Sequence, residues 1–130
     1  MSDRVLITSG VPWESVVGYS RAVRTGAHVF VSGTTATLPD GSVGGLNDEY
    51  EQARLALANV KIALEQAGAK MSHVVRTRMF VTNIANWQAI GRAHGEVFGD
   101  IRPATSMLQV AALIDPAMLI EIEADAVIDD

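Results

Sequence analysis

Apolar residues recur along this chain with two periods, and the switch between them marks out its elements. Val5-Leu6-Ile7 is a short apolar run closed by the turn-forming Ser9-Gly10-Val11-Pro12, which predicts a brief first strand and then a loop carrying Trp13 and Glu14. β-Branched and aromatic residues from Tyr19 to Arg24 and from His28 to Ser32 predict two strands, and Thr25-Gly26 between them suits a hairpin turn, so the two should pair antiparallel. Pro39-Asp40-Gly41 and Gly44-Gly45 make the next stretch a connection rather than core. The period then lengthens. Ala53, Leu57, Val60, Leu64 and Ala67 recur at helical spacing, in a helix that Asn47 or Asp48 can cap and Gly68 can end.

From Val74 to Val81 the period returns to two, with Val75, Thr77, Met79 and Val81 on one face and Val74, Arg76, Arg78 and Phe80 on the other. A second helix opens at Asn83 or Asn86, runs through Trp87, Ile90, His94 and Val97, and stops at Gly99 ahead of Arg102-Pro103. Strands at Thr105 to Ala111 and Leu119 to Ile128 complete the set, and the last sets Glu121, Glu123 and Asp125 opposite a wholly apolar face. Strands mixed with two helices give an α+β class in which the helices cover only one sheet face. The other face would carry Arg76 and Arg78 beside the three carboxylates. Either a subunit interface pairs these charges or they form a solvated face.

Composition narrows the setting. With 130 residues, 48% of them hydrophobic, the chain suits one domain over residues 1–130. It contains no cysteine, which excludes disulfides, thiolate zinc sites and cysteine nucleophiles. Neither a signal-peptide pattern nor a membrane-length apolar run occurs, so a cytoplasmic protein with no membrane partner is expected. A formal net charge of −5 makes nucleic acid a poor partner. His28 and His73 lack the spacing of metal ligands, so no metal is expected. His94, on the apolar side of its helix, reads as a packed, hydrogen-bonded histidine.

The element order, together with Val17-Gly18-Tyr19-Ser20, Val29-Phe30-Val31-Ser32-Gly33, Ala58-Asn59-Val60-Lys61, Val74-Val75-Arg76-Thr77, Arg102-Pro103-Ala104-Thr105 and Glu121-Ile122-Glu123-Ala124, resembles the RidA (YjgF-type) family, also labelled L-PSP endoribonucleases. The resemblance covers nearly the whole chain. It implies a chorismate-mutase-like fold with a mixed six-stranded sheet, two helices on one face, and three copies forming a homotrimeric barrel. It also implies clefts between subunits for a small polar metabolite, lined by the Tyr19 and Ser32 regions of one copy and the Thr105 and Glu121 strands of the next.

In the enzymes of that family the reaction is a 2-iminobutanoate/2-iminopropanoate deaminase-like hydrolysis needing no cofactor. Glu121 matches the glutamate that orients or activates water. Tyr19, Ser32 and Gly33 match pocket positions. Thr105 stands where the family has an arginine that clamps the substrate carboxylate through paired hydrogen bonds, which a threonine cannot reproduce. Further departures are Thr34 where glutamine is usual, Gly91 where asparagine is common, and Arg21 where Tyr-Ser-Gln is usual. Arg78 is a candidate to return a guanidinium to the cleft, or else an ion-pair partner of Glu121 or Glu123. Trp13 and Glu14 are candidates for an aromatic wall and a carboxylate. Alternatives to the enzyme are a non-catalytic ligand-binding or protein-stabilising trimer and, third, an endoribonuclease.

Overall fold

The period-two segments join into one mixed sheet. β1 (Val5–Ile7), β2 (Ala22–Thr25), β3 (His28–Thr34), β4 (Val74–Val81), β5 (Ala104–Gln109) and β6 (Ile120–Val127) take the order β1-β2-β3-β6-β4-β5 in the computed structural model, which describes residues 3–129. The pair β4 and β5 is parallel and the remaining pairs are antiparallel. β6 holds an interior position because its alternation gives it one wholly apolar face, where Ile120, Ile122, Ala124 and Ala126 are at most 1% exposed.

Across that face lies α2 (Glu49–Gln66), with Leu57, Val60 and Leu64 buried against the sheet. Asp48 starts it by accepting a hydrogen bond from the backbone N–H of Glu51 at 3.0 Å. Just past its end Gly68 takes a φ of 86°, which favours glycine. The crossover between parallel β4 and β5 carries α3 (Trp87–Phe98). Replacing Leu64 with alanine is expected to cost about 2–5 kcal/mol, since the side chain is fully buried and the cavity closes only partly. A lower urea midpoint with an unchanged slope would register that loss.

Two polar residues of α2 are structural. Gln52 is fully buried; its amide donates to the Ala117 carbonyl and accepts from the Leu119 N–H, both at 2.8 Å. Asn59 donates to the carbonyls of Thr35 at 3.0 Å and Thr37 at 2.9 Å. Together they pin the chain leaving β3 and the chain entering β6, the two segments between which the candidate site lies.

The structure corrects the sequence reading in three places. Residues 12–17, expected as loop, form a short helix α1 (Pro12–Val17), which tolerates Pro12 because a first-turn N–H has no intrahelical partner to lose. β2 begins at Ala22, so Tyr19 and Ser20 lie outside the strand. A bulge between Val74 and Arg76 reverses the start of β4, so Val74 is buried and Val75 is 49% exposed. The second helix opens as expected at one of the two asparagines: α3 begins at Trp87 with Asn86 at its N-cap, after a 3-10 turn over Ile84–Asn86 that Asn83 caps.

The sheet face away from α2 and α3 presents Phe30 and Leu108, 46% and 49% exposed, together with the charges. Arg78 pairs within its own chain, its Nη1 lying 3.4 Å from Asp125 and 3.6 Å from Glu123 on adjacent β6. No second subunit is required for that pairing. The apolar area left beside it is what association would cover.

Candidate functional site

A recess of about 130 Å³ opens beside the β3–β6 junction, lined by Trp13, Val17, Tyr19, Arg21, Gly33, Thr35, Ile114, Met118 and Glu121. Its position follows from an irregularity in the sheet. β3 and β6 run in register from His28 to Val31, lose it over Ser32-Gly33, and regain it at Thr34 opposite Ile122. Glu121, on the face of β6 turned from the helices, brings its carboxylate over this gap. A Cβ built on Gly33 would stand 2.5 Å from Oε2 of Glu121, so the carboxylate can rest where it does because position 33 has no side chain, and a methyl there would make the Glu121 side chain shift.

Glu121 is half-buried and accepts no hydrogen bond from the described residues. Burial pushes its carboxyl up from the ordinary glutamate range and neighbouring Glu123 adds to the rise, while the charge on Arg21 partly offsets both. A raised carboxyl with open lone pairs in a shielded recess is suited to taking a proton from water and returning it.

Arg21 forms the opposite side. Its Nη2 donates to the Gly33 carbonyl at 2.7 Å, and its guanidinium lies 5.5 Å from the centre of the Tyr19 ring. Its Nε is shielded from solvent and has no hydrogen-bond partner among the described residues. Arg21 and Thr35 also line a larger neighbouring cavity of about 490 Å³, whose walls include Ser9, Thr34, Thr37, Asn59 and Gln66.

The remaining candidates lie elsewhere. Glu14 is buried, but its carboxylate accepts from the Thr8 hydroxyl at 2.7 Å and from both the N–H and the hydroxyl of Ser9. Burial alone would raise its pKa; those hydrogen bonds and the charge on Arg21 outweigh it and hold the carboxyl below the usual range. Glu14 therefore anchors α1, whose Trp13 does line the recess. The Ser32 hydroxyl donates to the Ser20 carbonyl at 2.6 Å and does not line the recess. Arg78 stays with Asp125 and Glu123.

Thr105 lies apart from Glu121. It pairs with Thr77 in β5–β4 register, and the two hydroxyl oxygens are 2.8 Å apart on the helix side of the sheet. Glu121 pairs with Phe80 and faces the other side. The two are thus separated by three residues, roughly 10 Å along the strands, by two strand spacings, and by the sheet itself. Within one chain they cannot meet on one small molecule. The expectation that Thr105 and Glu121 of one copy together face the Tyr19 region of another is corrected: Glu121 shares its recess with Tyr19 and Gly33 of its own chain. His94 belongs to the Thr105 side, its Nε2 being 2.9 Å from the Thr77 hydroxyl and its ring packed on Phe98; burial holds its pKa below the ordinary histidine value.

Sequence reasoning missed Arg21 as a wall of the recess. The signal was present: a cation two residues after Tyr19, where the family pattern is uncharged.

Comparison with known proteins matches residues 4–128 to the family described as Endoribonuclease L-PSP. The crystal structure of a Mycobacterium tuberculosis member of the highly conserved YjgF/YER057c/UK114 family is 50% identical, covers 97% of this chain and 100% of its own, and superposes with a TM-score of 0.88. An uncharacterized protein of Streptomyces coelicolor is 38% identical over 120 residues, 92% of this chain and 89% of the relative. A 2-iminobutanoate/2-iminopropanoate deaminase of Dermatophagoides farinae is 33% identical over 132 residues, 99% of this chain and all of the relative.

Proposed function

Because the chain belongs to the Endoribonuclease L-PSP family, in its YjgF and RidA branch, we propose that it binds small 2-imino acids in the Glu121 recess and hydrolyses them to 2-keto acids and ammonium. The observation that carries this is the Glu121 carboxylate, shielded, raised in pKa and set over Gly33 in a recess small enough to select a short acid.

The chemistry balances without a cofactor. Glu121 takes a proton from water as the water oxygen bonds to C2 of the iminium, and the C=N π pair moves to nitrogen. The Glu121 carboxyl returns its proton to the carbinolamine nitrogen, the C–N bond breaks with its electron pair leaving on ammonia, and the hydroxyl proton passes to the Glu121 carboxylate as C2 closes to a carbonyl; ammonia then takes that proton and leaves as ammonium. The site is completed in a homotrimer, where the Thr105 edge of one copy faces the Glu121 recess of the next. Exposed Phe30 and Leu108 on the uncovered sheet face favour such association. A cytoplasmic setting accords with the lack of cysteine, and no helix of the described residues is long and apolar enough to cross a membrane. Thr105 offers one neutral hydroxyl where an arginine would offer two charge-assisted bonds, so turnover is slow beside an arginine-bearing relative.

The test is release of pyruvate from freshly generated 2-iminopropionate by the purified trimer. Wild type is expected to be measurably active, and Thr105→Arg to raise kcat/KM at least tenfold. Absence of both activity and pyruvate binding would leave a non-catalytic assembly. RNA cleavage that depends on Glu121 would replace the reading with a nuclease, which the net charge of −5 disfavours.

A further inference from the structure

We propose that Arg21 recognises the carboxylate of the ligand, doing from the Tyr19 wall what position 105 does not do in this chain; the inference rests on the reading of the Glu121 recess as a site for 2-imino and 2-keto acids.

Among the residues that line the recess, Arg21 is the one cation. Other arginines are committed elsewhere: Arg78 to Asp125 and Glu123, Arg24 to the carbonyls of Gly26 and Ala67, Arg102 to that of Gly99. Arg21 has five N–H donors, of which one is used on Gly33. That bond and the Tyr19 ring fix the plane of the guanidinium, so little side-chain freedom remains to be lost on binding.

What is left unused is suited to an anion. Nε is shielded from water and has no acceptor among the described residues, so the donors open to a ligand are those of the terminal nitrogens. No described carboxylate lies within ion-pair distance of the guanidinium, although the charge on Arg21 reaches both Glu14 and Glu121. The charge is therefore not spent within the chain. The two terminal nitrogens keep N–H donors beyond the one spent on Gly33, and their shared edge is a parallel pair that fits two carboxylate oxygens.

The electrostatics then fix the ligand's orientation. A ligand carboxylate beside ionised Glu121 would be repelled, so it takes the Arg21 side, which leaves C2 towards Glu121 and the alkyl group towards Trp13, Ile114 and Met118. The ligand class is a 2-keto or 2-imino acid with a short aliphatic side chain.

The test compares wild type, Arg21→Gln, Arg21→Lys and the double variant Arg21→Gln/Thr105→Arg, by pyruvate binding in calorimetry and by 2-iminopropionate hydrolysis. Glutamine keeps an amide N–H for the Gly33 carbonyl, and lysine keeps the charge without the fork. Arg21→Gln is expected to weaken pyruvate binding and raise KM at least tenfold with kcat within a few-fold. Arg21→Lys should fall between it and wild type. Pyruvamide, lacking the charge, should bind both proteins equally weakly, and the double variant should regain binding through its relocated guanidinium. An Arg21→Gln protein that binds pyruvate like wild type, with wild-type hydrolysis intact, overturns the role of Arg21 alone. A wild-type protein that neither binds pyruvate nor turns over the imine overturns the recess reading, and this inference with it.

Discussion

Glu121→Gln is expected to lower kcat for 2-iminopropionate hydrolysis by about 10²–10⁴-fold, the usual worth of a positioned general base, while pyruvate binding persists. Glutamine preserves shape and hydrogen-bonding reach but cannot accept the water proton. A pH profile gives the second signature. The base works when ionised, and burial and Glu123 hold its pKa above the ordinary carboxylate value, so the acid limb of kcat/KM should lie above pH 4.5. Glu123→Gln removes one of the two causes and should move that limb down. Stability should change the other way. A carboxyl whose folded pKa is raised contributes stability that is present below its unfolded pKa and is lost as pH rises through the folded value. At neutral pH ionised Glu121 is therefore a burden on the fold, and Glu121→Gln should melt higher than wild type while losing its chemistry. Wild-type kcat in a correctly folded Glu121→Gln protein would remove Glu121 as the base.

The sheet was largely legible because each strand repeats a local signal. Strict alternation from Ile120 to Ala126 specified both the burial of β6 and the face of Glu121, and the spacing from Ala53 to Leu64 specified α2. Reading failed where one residue breaks a period. The bulge at Val74 and Val75 inverts two side chains without a glycine or proline to announce it, and α1 is a six-residue helix begun by a proline that also reads as a turn. The site was legible in part. Tyr19, Gly33 and Glu121 line one recess of a single chain, where the resemblance set Glu121 on the copy next to Tyr19; Arg78 took the ion pair with Glu123 that their shared face had offered, and Glu14 found partners in Thr8 and Ser9 that periodicity cannot reveal. Arg21 went unassigned because its role depends on the register lapse at Ser32-Gly33, which turns the Gly33 carbonyl to its guanidinium.

That lapse supports the second large effect. Gly33→Ala should reduce kcat for imine hydrolysis by about 10²-fold with little change in overall stability, because displacing a reacting group by about 1 Å carries a cost of that order. The backbone at Gly33 is not in the left-handed region, so alanine is conformationally tolerated and the effect is steric. Its methyl would lie 2.5 Å from Oε2 and 2.6 Å from Cδ of Glu121, distances that real contacts do not sustain, and the carboxylate is the part free to move. Two outcomes separate a displaced base from a damaged site. If the carboxylate is pushed outward it becomes better hydrated, and the acid limb of the pH profile should fall along with kcat. Pyruvate affinity, which depends on Arg21, should stay within a few-fold of wild type, because the Arg21 bond goes to the Gly33 carbonyl, which alanine retains. Full activity in Gly33→Ala, with the protein assembled, would mean that the carboxylate need not rest over this residue to work, and the geometric basis for assigning Glu121 would fall with it.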